Sequence, residues 1–380
     1  MSATVKVPAT LINWKVVEWA INRIGETPEK VAKSIGIKTP RFKSLLEGKG
    51  HITYNQLHKL AHALHIPYGY LFLSEVPEEK SEIPDLRKIK DSKPLSWKFF
   101  EVYSDIKIKQ EWIKEKRLSE GYTPLKFVGK YSIDTPHQVI AKDIKETLNL
   151  NHLDNINELV DRVESIGILV FRNSVLINNT HIELDPEEFR GFSIVDEIAP
   201  VIFINSNDTQ KAQIFTLFHE IAHIWVGQSG VSDADPENQN AVERLCNMVA
   251  IEILAPELEI KSRWNENISP LENIQNLSKI FPVSKTALLY RLLNLRMIDR
   301  EEYELLKAEM LKKTYELELR NKEQKGGDYY KLLLSRNSKT FIYEVIDSLL
   351  NQEITYLSAM RLLNIKKDKI LIKLMEELGV

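Results

Sequence analysis

Between Ile214 and Trp225 the chain reads IFTLFHEIAHIW, and nearly every position outside one short polar group is apolar. Ile214, Phe215, Leu217, Phe218, Ile221, Ala222, Ile224 and Trp225 would cover a helix almost all round, and a helix of that kind is a buried one. Yet it carries His219, Glu220 and His223. Polar groups taken into an apolar interior need partners, or each costs several kcal/mol (about 2–7). Positions i and i+4 share a helix face, so His219 and His223 can turn two imidazoles toward one metal ion. Glu220, one step round, lies beside such an ion without binding it. There it can take a proton from metal-bound water, whose pKa a Zn2+ ion lowers to about 7.

A catalytic zinc needs a third protein ligand. Cys246 falls on the apolar stripe Val242, Leu245, Val249 and Ile253 and reads as core packing. The adjacent face of the same predicted helix carries Glu243, Asn247 and Ala250. Glu243 lies 20 residues past His223, across the polar stretch GQSGVSDADPENQN, which allows a reversal that delivers its carboxylate to the histidines. Asp233, Asp235 and Glu237 compete from within that stretch.

The segments around this helix extend the pattern. ILVFRN (168–173), FRGFSIV (189–195) and APVIFIN (199–205) read as strands. An edge strand beside the metal helix would hold an extended peptide by β-augmentation. The groups RGFS, APVIFIN, QIFTLFHEIAHI and ERLCNMVAIEILAP, in that order between Phe189 and Pro256, resemble the ImmA/IrrE family of metallopeptidases. Cys246 stands where that family usually has alanine, and Val249 where it has phenylalanine. The resemblance implies His219, His223 and Glu243 as zinc ligands, Glu220 as the catalytic base and Asn247 as a neighbour of the site. It also implies a repressor or antitoxin-like protein as substrate, in a prophage, stress-response or toxin–antitoxin circuit. Arg190, His181 and Tyr290 are the alternatives for an oxyanion partner, and His181 for a fourth, closing ligand.

The front of the chain differs in charge. Residues 1–73 hold ten Lys/Arg against four Asp/Glu, a net of +6, whereas the whole chain of 380 residues carries −3. That contrast points to a polyanionic partner for the front alone. Within it, Thr27 precedes Pro28 as a helix cap, Val31, Ala32 and Ile35 make an apolar stripe, and Gly36 supplies the turn. Thr39 and Pro40 then open a second short helix, giving a helix-turn-helix outline. Together with LEGKGHITYNQLHKLAHALHIPYGYLFL, the stretch from Trp14 to Leu73 resembles the Xre/Cro-type DNA-binding domain. By that resemblance Thr39, Arg41, Phe42 and Lys43 would meet DNA in the major groove, with Arg41 the candidate for guanine. Specific binding by single-headed chains would call for a homodimer.

The expected architecture is multidomain and mainly α. A helix-turn-helix domain (1–75) leads through a linker and connecting helix (76–125) to an α+β zincin-like peptidase domain with a small sheet (126–260). A helical region (261–380) follows, in which Leu277–Asp299 resembles a further helix-turn-helix outline but reads rather as a helical subdomain packing against the peptidase. Within Ala359–Leu374, Lys366, Lys367 and Lys369 read as a solvated face rather than a DNA contact. One cysteine excludes an internal disulfide. No apolar run reaches the about 18 residues that span a bilayer, so the expected location is the cytoplasm, without a membrane partner.

Overall fold

The computed structural model describes residues 5–78, 95–150, 155–232, 240–318, 333, 336–377 and 379. Among them the chain is mainly helical with one small mixed sheet, and no helix is long and apolar enough to cross a membrane. It divides into two compact units, residues 1–82 with 95–100, and residues 83–94 with 101–380. Most of the segment expected as a linker, 79–94, and the acidic competitors Asp233, Asp235 and Glu237 lie outside the described residues.

In the first unit, strand β1 (Lys6–Pro8) pairs antiparallel with β2 (His51–Thr53). Helices α1 (Trp14–Arg23), α2 (Pro28–Ser34), α3 (Thr39–Leu46) and α4 (Tyr54–Ala63) surround one core. The helix starts follow from their caps. Thr27 Oγ1 accepts from Lys30 N–H at 3.4 Å, and Thr53 with Gln56 forms a reciprocal capping box at the head of α4. The second helix of the hairpin begins one residue earlier than expected. Thr39 is already helical, and Lys38 holds the cap position without a side-chain bond.

Phe42 requires a correction. Its side chain is wholly buried, with its ring centroid 6.5 Å from that of Trp14, so it packs the core and cannot reach a base edge. Arg41 and Lys43 are exposed and Thr39 half-buried. Arg41 Nη2 donates to the His51 carbonyl at 3.0 Å, and Lys43 pairs with Glu29 at 3.0 Å.

The second unit takes most of α5 (Trp97–Ser119), then α6 (His137–Thr147) and α7 (Ile156–Ser165). Strand β3 (Leu169–Asn173) is followed by a hairpin of β4 (Val175–Leu176) and β5 (Asn179–Glu183), then β6 (Gly191–Ile194) and β7 (Val201–Asn205). Helix α8 (Gln210–Val226), strand β8 (Gly230–Ser232) and helix α9 (Ala241–Leu254) complete the site-bearing part. The sheet runs β3-β7-β6-β8, with β3 parallel to β7 and the other neighbours antiparallel. All five residues of β7 are buried, as a central strand covered on both faces requires. Strand β8 departs from the sequence expectation. It forms the edge beside β6 inside a stretch whose polarity reads as loop.

Helices α10 (Glu257–Arg263), α11 (Pro270–Ile280), α12 (Lys285–Asn294) and α13 (Arg300–Glu318) follow. The last are α14 (Lys339–Leu350), α15 (Tyr356–Leu362) and α16 (Asp368–Glu377). One apolar core joins Ile221 and Trp225 of α8 and Val249 of α9 to Leu277, Leu288 and Leu292 of α11 and α12. The Leu277–Asp299 outline is therefore folded into the same core as the metal-motif helix.

Candidate metal centre

Helix α8 starts where Thr209 Oγ1 accepts from Ala212 N–H at 3.3 Å, and from there packs on β6, β7 and α9. Its burial leaves His219, Glu220 and His223 with 2%, 0% and 0% exposure. One helical turn separates the two histidines, and their Nε2 atoms stand 3.0 Å apart. Glu243 comes from the first turn of α9, where Asn240 Oδ1 accepts from the Val242 and Glu243 N–H groups. A carboxylate is favoured there by the helix dipole. Its Oε2 lies 3.1 Å from His219 Nε2 and its Oε1 3.0 Å from His223 Nε2. Among the described residues, these three are the group whose ligand atoms converge for a metal ion, all within 4.8 Å of one another.

The other ring nitrogens explain why the convergence calls for a cation. His219 Nδ1 donates to Asn247 Oδ1 at 2.9 Å, and His223 Nδ1 donates to the Gln228 carbonyl at 2.8 Å. Both partners are acceptors, so each Nδ1 carries the proton and a neutral ring presents a lone pair at Nε2. Two such lone pairs and a carboxylate then face one another in a space that is 1% exposed at Glu243. Lone pairs at these distances repel unless a cation sits among them. A proton on an imidazole is the weaker remedy; a Zn2+ ion satisfies all three, and His, His and Glu suit it.

The charges record the same pressure. Burial would raise the Glu243 carboxyl, but His219 and His223 hold it down at about 2. Burial would lower His223, but Cys246 and Glu243 beside its ring hold it well above the usual imidazole range. Cys246 is wholly buried, and burial pushes its thiol up. It is therefore a core residue that also borders His223, outside the converging ligand set.

The Glu220 carboxylate reaches strand β6 at Gly191. Gly191 makes room for it, because a Cβ there would lie 3.1 Å from Glu220 Oε1, 2.6 Å from Thr216 Cγ2 and 2.8 Å from the Phe203 carbonyl. The sequence offers Gly191 only as part of the RGFS group, since the need for a glycine there arises when β6 meets α8. The Gln228 carbonyl was likewise unforeseeable, being a backbone atom.

The oxyanion alternatives fare unequally. Arg190 Nε pairs with Asp208 at 3.2 Å, Tyr290 faces Tyr303 at 6.5 Å, and His181 is exposed on β5. His181 lies outside the converging ligand set.

Residues 163–293 match the IrrE N-terminal-like domain, a peptidase family. The matched segment begins in α7, takes in the whole sheet with α8 and α9, and ends in α12. It covers 131 of 380 residues and excludes the N-terminal unit. No curated protein and no solved structure matches the chain. The metallopeptidase character of the matched family and the buried His–His–Glu cluster agree with each other.

Proposed function

We propose that the chain is a cytoplasmic DNA-binding regulator with zinc-dependent endopeptidase activity of the HExxH type. The observation that carries the catalytic half is the convergence of His219 Nε2, His223 Nε2 and Glu243 in a buried space, with the Glu220 carboxylate one residue from a ligand. Three protein donors are the number that catalytic zinc sites use. The bound ion would supply Lewis acidity to a water molecule and to the scissile carbonyl. Glu220 would take the proton from the attacking water and return it to the leaving amine. Asn247 and the Gln228 carbonyl would fix the two imidazoles and keep their Nδ1 positions protonated.

For the other half, α2 and α3 make a short helical hairpin in a unit whose first 73 residues carry a net +6. Thr39, Arg41 and Lys43 would face DNA, their present contacts with His51 and Glu29 exchanging for phosphate and base edges. Two copies would be needed to read a symmetric operator. A repressor or antitoxin-type protein fits as substrate, since a peptidase joined to a DNA-binding head would act on partners at the same control region.

Incubating zinc-loaded protein with a complex peptide mixture and reading new termini by mass spectrometry tests the catalytic half. Cleavage by wild type, abolished by Glu220→Gln and by chelation, is the expected result. Full zinc occupancy without new termini would favour a regulator or toxin–antitoxin component whose zinc is structural.

A further inference from the structure

Helix α8 ends at Gly227, whose φ of 76° lies in the left-handed region and whose N–H returns to the His223 and Ile224 carbonyls. This turn brings the next residue back over His223 twice. Gln228 N–H donates to the His223 carbonyl at 3.1 Å, and the Gln228 carbonyl accepts from His223 Nδ1 at 2.8 Å. The orientation of one imidazole is thus set by the residue immediately after a glycine.

That glycine meets a second one. A Cβ on Gly227 would stand 2.9 Å from Gly129 Cα, and backbone cannot rotate away as a side chain would. Gly129 N–H donates to the Ile224 carbonyl at 2.9 Å, beside Gly227 N–H, and Tyr131 N–H to the Trp225 carbonyl at 3.1 Å, so residues 129–131 supply donors to carbonyls at the end of α8. The Phe127 ring stacks on Trp225 at 4.4 Å and anchors the same segment.

We propose that Gly227, seated against Gly129, is a positioning residue for His223: the contact of the two glycines holds the turn that aims the Gln228 carbonyl at Nδ1 and hence Nε2 at the metal. This role rests on the zinc reading above and adds a determinant of ligand geometry outside the HEIAH pentapeptide. A glycine that merely ended the helix would need the left-handed conformation but not the contact. A metal ligand whose second nitrogen loses its partner loses affinity by about 10–100-fold.

The test uses the full chain, with zinc affinity measured by competition against a chromophoric chelator and unfolding measured on the metal-stripped protein. Gly227→Ala introduces both strain and the close contact. Gly227→Asn tolerates the left-handed conformation but keeps the offending Cβ. Gly129→Ala, with φ 63°, introduces the strain while its Cβ meets Gly227 Cα at 3.7 Å, an ordinary contact. Both Gly227 variants should bind zinc about 10–100-fold more weakly than wild type, and Gly129→Ala should bind it as wild type does. Gly227 variants that unfold more easily yet bind zinc normally would overturn the proposal.

Should neither Gly227 variant fold, amide exchange on wild type decides. By reciprocal linkage, zinc should slow exchange at the Gly129 and Tyr131 N–H groups more than along the β3–β7 ladder. Equal slowing at both places would overturn the proposal. Wild type that takes up no zinc would sink the zinc reading and this role with it, whereas normal uptake by wild type and Gly227→Ala alike sinks this role alone.

Discussion

Helices α8 and α3 each carry the polar residues on which a proposed function rests, but they hold them differently. In α8 the motif residues are buried to 2% exposure or less, and the imidazoles are fixed by Asn247, Gln228 and Glu243. In α3, Arg41 and Lys43 stand in solvent, and their partners are one backbone carbonyl and one exposed glutamate. Burial makes the difference. A polar group out of water must find its partners within the fold, so its geometry is set before any ligand arrives. An exposed one keeps its solvation and takes its final geometry from the partner it meets.

The largest effect expected from this contrast lies at Phe42, which with Leu45 forms the buried face of α3. Phe42→Ala should lower the stability of the N-terminal unit by about 3–5 kcal/mol, read by denaturant titration with Trp14 fluorescence. A loss of DNA affinity at unchanged stability would instead return Phe42 to the surface role expected from sequence. Next comes Asn247→Ala, which takes the acceptor from His219 Nδ1. Zinc affinity should fall about 10–100-fold by chelator competition, and an unchanged value would mean that α8 holds His219 unaided.

At the exposed helix, Arg41→Ala should leave the melting temperature unchanged and cost about 1–3 kcal/mol of discrimination between DNA sequences, measured by fluorescence anisotropy. Uniform weakening on every sequence would reassign Arg41 to phosphate. The smallest effect concerns protons. In the metal-free protein the Glu243 contribution to stability is present above pH 4.5 and is lost as pH falls toward about 2. The His223 contribution is complete below pH 6.5 and is lost as pH rises through its raised value. Zinc needs the imidazole unprotonated, so binding at neutral pH should release a proton from His223. Calorimetry in buffers of different ionisation enthalpy reads that release, and its absence would mean that the pair is already neutral.

What the sequence could foretell follows the same division. His219, Glu220 and His223 were legible because helical periodicity places them on a helix that is otherwise apolar, and Glu243 because it shares a face with Asn247 on the next helix. The strands at 169–173, 191–194 and 201–205 were legible from their β-branched and aromatic runs. The Gln228 carbonyl, the space at Gly191 and the edge strand β8 were not, because backbone atoms and close approaches leave no side-chain pattern. Phe42 stood under two expectations, an inward position from helical spacing and a DNA contact from the resemblance, and its packing against Trp14 agrees with the first. The stretch Leu277–Asp299 was legible as a helical subdomain packing against the peptidase, and α11 and α12 do share a core with α8.

Zinc content beside hydrolysis, measured on purified wild type, Glu220→Gln and Glu243→Ala, tests the central claim most directly. One zinc per chain in wild type and Glu220→Gln, loss of zinc in Glu243→Ala, and peptide cleavage by wild type alone is the predicted result. Equal zinc in all three proteins, or cleavage that survives Glu220→Gln, would contradict it.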